Sequence, residues 1–162
     1  MLGCVGIAYF HIAKERKQEA ILNDMINLLK QLQLLIEAQN LTIVEGLMRV
    51  KSSYQDEVAG FITEMLNYHE GKAGGDVGIL WNELLVRMLP VSLIGKNAQR
   101  ILKNLGDSLG GYSKKIQIST LYANRQLLEE ERELLRQHRL HTQKLVTTMG
   151  VLAGILLIVL LI

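Results

Sequence analysis

With 162 residues, and eighteen lysines and arginines against sixteen aspartates and glutamates, the chain has room for one compact domain and a net charge of only +2. That balance gives no nucleic-acid footprint, and sparse aromatics, a single proline and abundant leucine and isoleucine favour helices over a sheet. The one cysteine, Cys4, excludes an internal disulfide and gives no sign of an oxidising compartment.

All charge lies between Lys14 and Lys144, which leaves both ends uncharged. The first segment, Met1 to Ala13, is apolar apart from His11 and is followed by Lys14, Arg16 and Lys17. As a helix it reaches only about 20 Å, short of the ~30 Å hydrocarbon core of a bilayer. A secretory signal places its positive charge before the apolar run and a small-x-small site after it. Here the charge follows, and no such site is present. Residues 1–13 are therefore expected to form a short membrane segment, an incomplete span that dips into the bilayer. The competing reading is a buried amino-terminal helix of a soluble domain.

Consecutive helices are predicted next. The first runs from about Lys14 to Ala38, with Ile21, Leu22, Met25, Ile26, Leu28, Leu29, Leu32, Leu35 and Ile36 on a broad apolar face. Asn40 and Leu41 interrupt it. Thr42 and Glu45 then stand in capping-box spacing and open a short helix through about Lys51. A third helix spans about Gln55 to His69, carrying Val58, Phe61, Ile62, Met65 and Leu66. The glycine-rich break from Gly71 to Gly75 follows.

Asp76 is the expected cap of the fourth helix, which presents Ile79, Leu80, Trp81, Leu84, Leu85 and Met88 and stops at Pro90. Ser92 is expected to open the fifth, with Ile94, Ala98, Ile101, Leu102, Leu105 and Leu109 on one side and Gly110-Gly111 at its end. The sixth begins near Ser113 and has no proline or turn signal after it. Every break is about two to seven residues, as antiparallel neighbours require, so the expectation is an all-α bundle of about six helices.

The sixth helix changes character along its length. Glu129, Glu130, Glu131 and Glu133 give way to Arg132, Arg136, Arg139 and Lys144. Glu129 with Arg132 and Glu133 with Arg136 fall at i,i+3, and each pair supports an exposed helix by a few tenths of a kcal/mol (about 0.2–0.5). The membrane-proximal arginines are also placed to meet anionic lipid headgroups. Leu121, Leu128 and Leu135 form one line and Leu127 with Leu134 the next. The lines are adjacent, which suits docking on the chain's own bundle at least as well as self-association.

From Leu145 to Ile162 no charge remains, and this stretch as a helix spans roughly 27 Å, close to the ~30 Å of a hydrocarbon core. It is expected to be a transmembrane helix continuous with the helix before it. Within it, Gly150 and Gly154 form a small-xxx-small pair that lets another helix approach closely. The basic residues flanking the two apolar ends place the domain between them, residues 14–144, on the cytoplasmic side.

No catalytic constellation emerges. Gly95-Lys96 lacks both the earlier glycine and the following hydroxyl of a phosphate-binding loop. His138 and His141 are three apart, but a zinc site needs further ligands, and Cys4 and His11 belong to the other apolar segment. Asp107 and Ser108 have no histidine at a suggestive spacing. No metal, cofactor or small-molecule substrate is expected.

The chain resembles the stage III sporulation protein AB family of endospore-forming bacteria. Its end, from Gln143-Lys144-Leu145 through Gly150-Val151-Leu152-Ala153-Gly154 to Ile162, is similar to the family's closing pattern. So is Leu105-Gly106-Asp107-Ser108-Leu109-Gly110, followed by Gln117-Ile118. The basic run after the first apolar segment and the leucine-rich first helix also correspond. The resemblance implies a helical cytoplasmic domain similar to that of the type II secretion F platform protein, with membrane helices at each end. It further implies a role in the mother cell during engulfment, within a secretion-like channel complex in the outer forespore membrane. The implied partners are the other channel components and the secretion-type ATPase, the AA protein of the same operon. The amino-terminal segment is shorter than the family's usual span, and the family brings no catalytic residues.

The expectation for function is thus a non-enzymatic membrane scaffold of the sporulation channel. The alternative is a tail-anchored helical module that captures an amphipathic partner helix, and its expected groove residues are absent. For the bundle, Leu84→Asp or Leu102→Asp buries an unpaired charge and should cost several kcal/mol (about 3–5). Thermal melting of either variant at the parent temperature would show that the helix faces are misassigned.

Overall fold

Among the described residues, two long helices bracket five shorter ones. The computed structural model describes residues 2–71, 75–110 and 113–161. Helix α1 is Leu2–Gln39, α2 Ile43–Val50, α3 Asp56–Gly71, α4 Val77–Met88, α5 Val91–Ile94, α6 Lys96–Leu109 and α7 Lys114–Leu161. A single 3-10 turn, Lys51–Ser53, joins α2 to α3, and the described residues contain no strand. α1 passes without a break from the apolar amino-terminal segment into the leucine-rich stretch. Of the glycine-rich connection, residues 72–74 lie outside the described residues, as does Gly111.

α1 and α7 run antiparallel. Lys114 Nζ donates to Asn40 Oδ1 at 2.7 Å, Arg132 Nη1 donates to Asn23 Oδ1 at 2.8 Å, and Arg139 pairs with Glu19 at 2.5 Å. Rising numbers on one helix thus meet falling numbers on the other. The core lies between this pair and the shorter helices. α1 contributes Leu22, Met25, Leu28, Leu29, Leu32 and Ile36, and α3 adds Phe61, Ile62 and Met65. Phe61 meets Trp81 of α4 edge to face, with ring centroids 4.9 Å apart and planes at 86°. Leu121 and Leu128 of α7 are fully buried, whereas Leu127 and Leu134 are exposed. The first leucine line therefore docks α7 on its own bundle.

The caps follow the local chemistry. Asn40 adopts φ 56°, a left-handed conformation that asparagine tolerates, and ends α1. Thr42 N–H donates to Glu45 Oε2 at 2.7 Å while Glu45 N–H donates to Thr42 Oγ1 at 3.3 Å, which completes the expected capping box. Asp76 Oδ1 accepts from Gly78 N–H at 2.7 Å and from Ile79 N–H at 3.4 Å.

Three local expectations are corrected. The fifth helix is two, since Gly95 at φ 87° separates α5 from α6 and raises the number from six to seven among the described residues. Gln18 Nε2 donates to Ile94 O at 2.9 Å there, and a side chain at Gly95 would collide with that amide. Pro90, with ψ 163°, precedes the first turn of α5, so Ser92 does not open it. Ile79 is exposed, because α4 turns Gly78, Trp81 and Leu85 towards its neighbours instead.

Why Gly78 faces inwards is a matter of approach distance. A Cβ on Gly78 would run into the carbonyl oxygen of Gly106, and one on Gly106 into the side chains of Trp81 and Asn82. A Cβ on Gly110 would meet the Asp76 carboxylate. The Leu105–Gly110 stretch is thus the seam along which α4 and α6 touch. Trp81 Nε1 donates to Leu102 O at 2.9 Å and Asn82 Nδ2 to Asp107 Oδ1 at 2.5 Å across it. Gln117 Nε2 then donates to Leu109 O at 3.2 Å and ties the end of α6 to α7.

Gly106→Val should force α4 and α6 apart and cost about 1–3 kcal/mol or more, the usual penalty of overpacking. Urea unfolding of the variant checks this. An unchanged midpoint would mean that the seam tolerates a side chain.

Candidate functional site

The feature that sets this bundle apart is the far half of α7. It is the one helix among the described residues long and apolar enough to cross a membrane, and none of its apolar window is buried in the fold. Val151, Leu152, Leu156, Val159 and Leu160 are all exposed, Leu160 at 75%. Water makes such a surface costly, at roughly 25 cal/mol for each Å² of apolar area left uncovered. A bilayer removes that cost, so the helix points to membrane association. α7 keeps its helical hydrogen bonding from Lys114 through the polar stretch into the apolar one, without a hinge.

Gly150 and Gly154 lie in this exposed part, and among the described residues no atom outside the local helix backbone comes within 4 Å of a Cβ added at either. Their face is open among the described residues.

Just before the apolar stretch, α1 and α7 form a groove of about 670 Å³. Arg16, Glu19, Ala20 and Asn23 line it from α1; Arg132, Glu133, Arg136 and Arg139 line it from α7. These positions recur at three and four along each helix, so each set shares one face. Arg139 pairs with Glu19, and Arg136 Nε lies 3.2 Å from Glu133. The expected Glu129–Arg132 pair does not form. Glu129 lies 3.7 Å from Arg125, and Arg132 instead reaches across the groove to Asn23. The tertiary partner offers a shorter contact than the local one. Arg16 is exposed and has no hydrogen bond or ion pair among the described residues.

A second cavity, about 850 Å³, opens beside it and is lined by Lys17, Asp24, Asp56, Glu57, Arg87 and Met88 among others. Lys17 and Glu57 meet there at 2.5 Å. Their hydrogen bond and charge attraction raise the lysine pKa and lower that of the carboxyl. Burial, reinforced by nearby Asp56, raises Asp24. Tyr54 is buried, its hydroxyl has no hydrogen-bond partner among the described residues, and burial with the neighbouring Asp24 charge pushes its pKa up to about 12. The charges around this cavity largely balance.

The remaining candidate residues are dispersed. His138 and His141 are exposed on α7, and His11 lies 3.5 Å from Glu15 on α1. Cys4 is in α1, in the part whose side chains lie outside the described ones. Among the described residues no three His, Cys, Asp or Glu side chains gather as a metal site. Asp107 accepts from Asn82 across the helix seam, while Ser108 Oγ donates to Asn104 O at 3.0 Å within α6. Gly95-Lys96 is the joint between α5 and α6.

The groove itself was missed by sequence reasoning. The usable signal was the run Arg132, Arg136, Arg139 on one face, facing Arg16, Glu19 and Asn23 on another.

The family model described as stage III sporulation protein AB matches the chain over residues 1–162. No curated protein and no solved structure matches it.

The raised Tyr54 pKa has a definite pH consequence. In the unfolded chain a tyrosine ionises near about 10, whereas in the fold Tyr54 stays neutral towards about 12. Its contribution is therefore complete below about pH 10 and is lost as pH rises between these values. Tyr54→Phe should flatten the alkaline limb of stability without loss at pH 7, since the hydroxyl removed has no partner among the described residues. Unfolding midpoints from pH 7 to 12 check both statements; a steep limb retained in the variant refutes the assignment to Tyr54.

Proposed function

Because the chain belongs to the stage III sporulation protein AB family, we propose that it is a non-enzymatic membrane scaffold of the secretion-like channel that sporulating cells assemble between mother cell and forespore. The observation that carries this reading is the family match over the whole chain, joined to a helix bundle whose last helix is apolar enough to span a bilayer.

In this reading residues 145–162 cross the outer forespore membrane, and the bundle of residues 14–144 stands in the mother-cell cytoplasm. The basic residues beside both apolar ends support that orientation. Residues 2–13 form the first turns of α1, on the side of the bundle that this reading turns to the same membrane. The bundle is taken to resemble the type II secretion F domain, and its partners are other channel components, foremost the secretion-type ATPase AA protein. The end of the bundle remote from α7's apolar half carries exposed Leu34 and Met48, which suit a cytosolic contact. Within the membrane, the open Gly150 and Gly154 face suits a neighbouring helix. For self-association, the surface on offer is the exposed pair Leu127 and Leu134. No cofactor, nucleic acid or small-molecule substrate takes part.

Deleting the gene in a spore former should arrest forespore development, and a copy truncated after Lys144 should fail to restore it. Microscopy and counts of heat-resistant spores read the outcome. Normal sporulation after deletion would sink the assignment. Protease protection of tagged termini distinguishes one crossing from two.

A further inference from the structure

We propose that the groove between α1 and α7 binds the phosphodiester headgroup of an anionic phospholipid. Four arginines, Arg16, Arg132, Arg136 and Arg139, line it against two carboxylates, Glu19 and Glu133. The lining is therefore electropositive, and the guanidinium groups retain unused donors. Each guanidinium carries several N–H groups in a planar fork suited to phosphate oxygens. Arg139 is oriented by Glu19, and Arg132 is held by Asn23, so the groove walls are fixed before any ligand arrives. Arg16 completes the ring and spends none of its donors on the described part of the chain.

Position selects the ligand. Arg16 and Arg139 stand at the end of the groove nearest the apolar half of α7. Arg139 precedes Lys144 by five residues, a rise of about 8 Å along the helix. The headgroup layer occupies roughly the first 5–7 Å beyond the hydrocarbon, and a long arginine side chain spans the remaining distance. An acidic peptide offers similar oxygens, but the groove opens beside the helix half whose exposed apolar surface suits a bilayer. Lipid is the occupant that this placement favours.

The inference rests on the membrane placement of α7 given above and not on the role in sporulation. Flotation of the full chain with pure phosphatidylcholine vesicles tests that placement by itself. A chain that fails to float removes both readings, whereas a floating chain leaves the groove to be judged separately.

For the groove, the full chain in neutral detergent is titrated with short-chain phosphatidylglycerol, phosphatidylcholine of equal chain length, inorganic phosphate and an oligoglutamate peptide. Native mass spectrometry counts what is retained. Phosphatidylglycerol should be retained at one per chain, ahead of the other three. Arg16→Gln should weaken it about fivefold, the worth of one basic side chain at an anionic surface, and Arg16→Lys should restore most of the loss. Circular dichroism should show the parent fold in both variants, since Arg16 has no internal partner among the described residues. Equal retention of the two lipids, phosphate or peptide binding as tight as phosphatidylglycerol, or an unchanged affinity in Arg16→Gln would each overturn the proposal.

Discussion

The antiparallel contact of α1 with α7 is the constraint on which the other elements depend. Leu22, Leu29 and Leu32 on one helix and Leu121 and Leu128 on the other are withdrawn from water almost completely. Each such burial contributes about 1.5–3 kcal/mol before the entropy of ordering is subtracted. The polar contacts along the same edge, Lys114 to Asn40, Arg132 to Asn23 and Arg139 to Glu19, are worth less, typically below about 1 kcal/mol each at a surface. Apolar burial therefore holds the two helices together, and the polar contacts choose the register in which they are held. That register brings Arg16 opposite Arg139 and makes a groove from two faces that are unremarkable alone.

The short helices complete the core that the long pair leaves open. Their closest contact is made by absence of side chains, since Gly78, Gly106 and Gly110 let α4 and α6 approach until backbone nearly meets backbone. The same approach brings the Trp81 indole to the Leu102 carbonyl. The Leu-Gly-Asp-Ser-Leu-Gly run, which carries much of the family resemblance, thereby has a packing role in this chain.

Features decided within a turn of helix were legible in the sequence. Thr42 with Glu45, Asp76 as a cap, and the buried faces of α1, α3 and α6 follow from spacing alone. So does the continuity of the last helix into its apolar end. What escaped depends on partners distant in the chain. Gly95 breaks a helix where Gln18 takes the freed carbonyl, Gly78 displaces Ile79 from the core because of Gly106, and Arg132 abandons Glu129 for Asn23. The groove belongs to this second class. Its residues were visible as basic stretches, but which of them converge is a property of two helices in register.

The unbroken course of α7 couples two azimuths. Leu128 faces the core, and at about 100° per residue Gly150 lies only about 40° around the helix from it and Gly154 about 80°. No hinge intervenes to let one end turn independently of the other. With α7 set in a bilayer, the bundle's orientation about its own axis would therefore also fix the compass bearing of the glycine face. Any helix that packs on those glycines is brought to a set angle around the bundle, so a contact made within the lipid dictates which side of the domain faces its neighbours outside it.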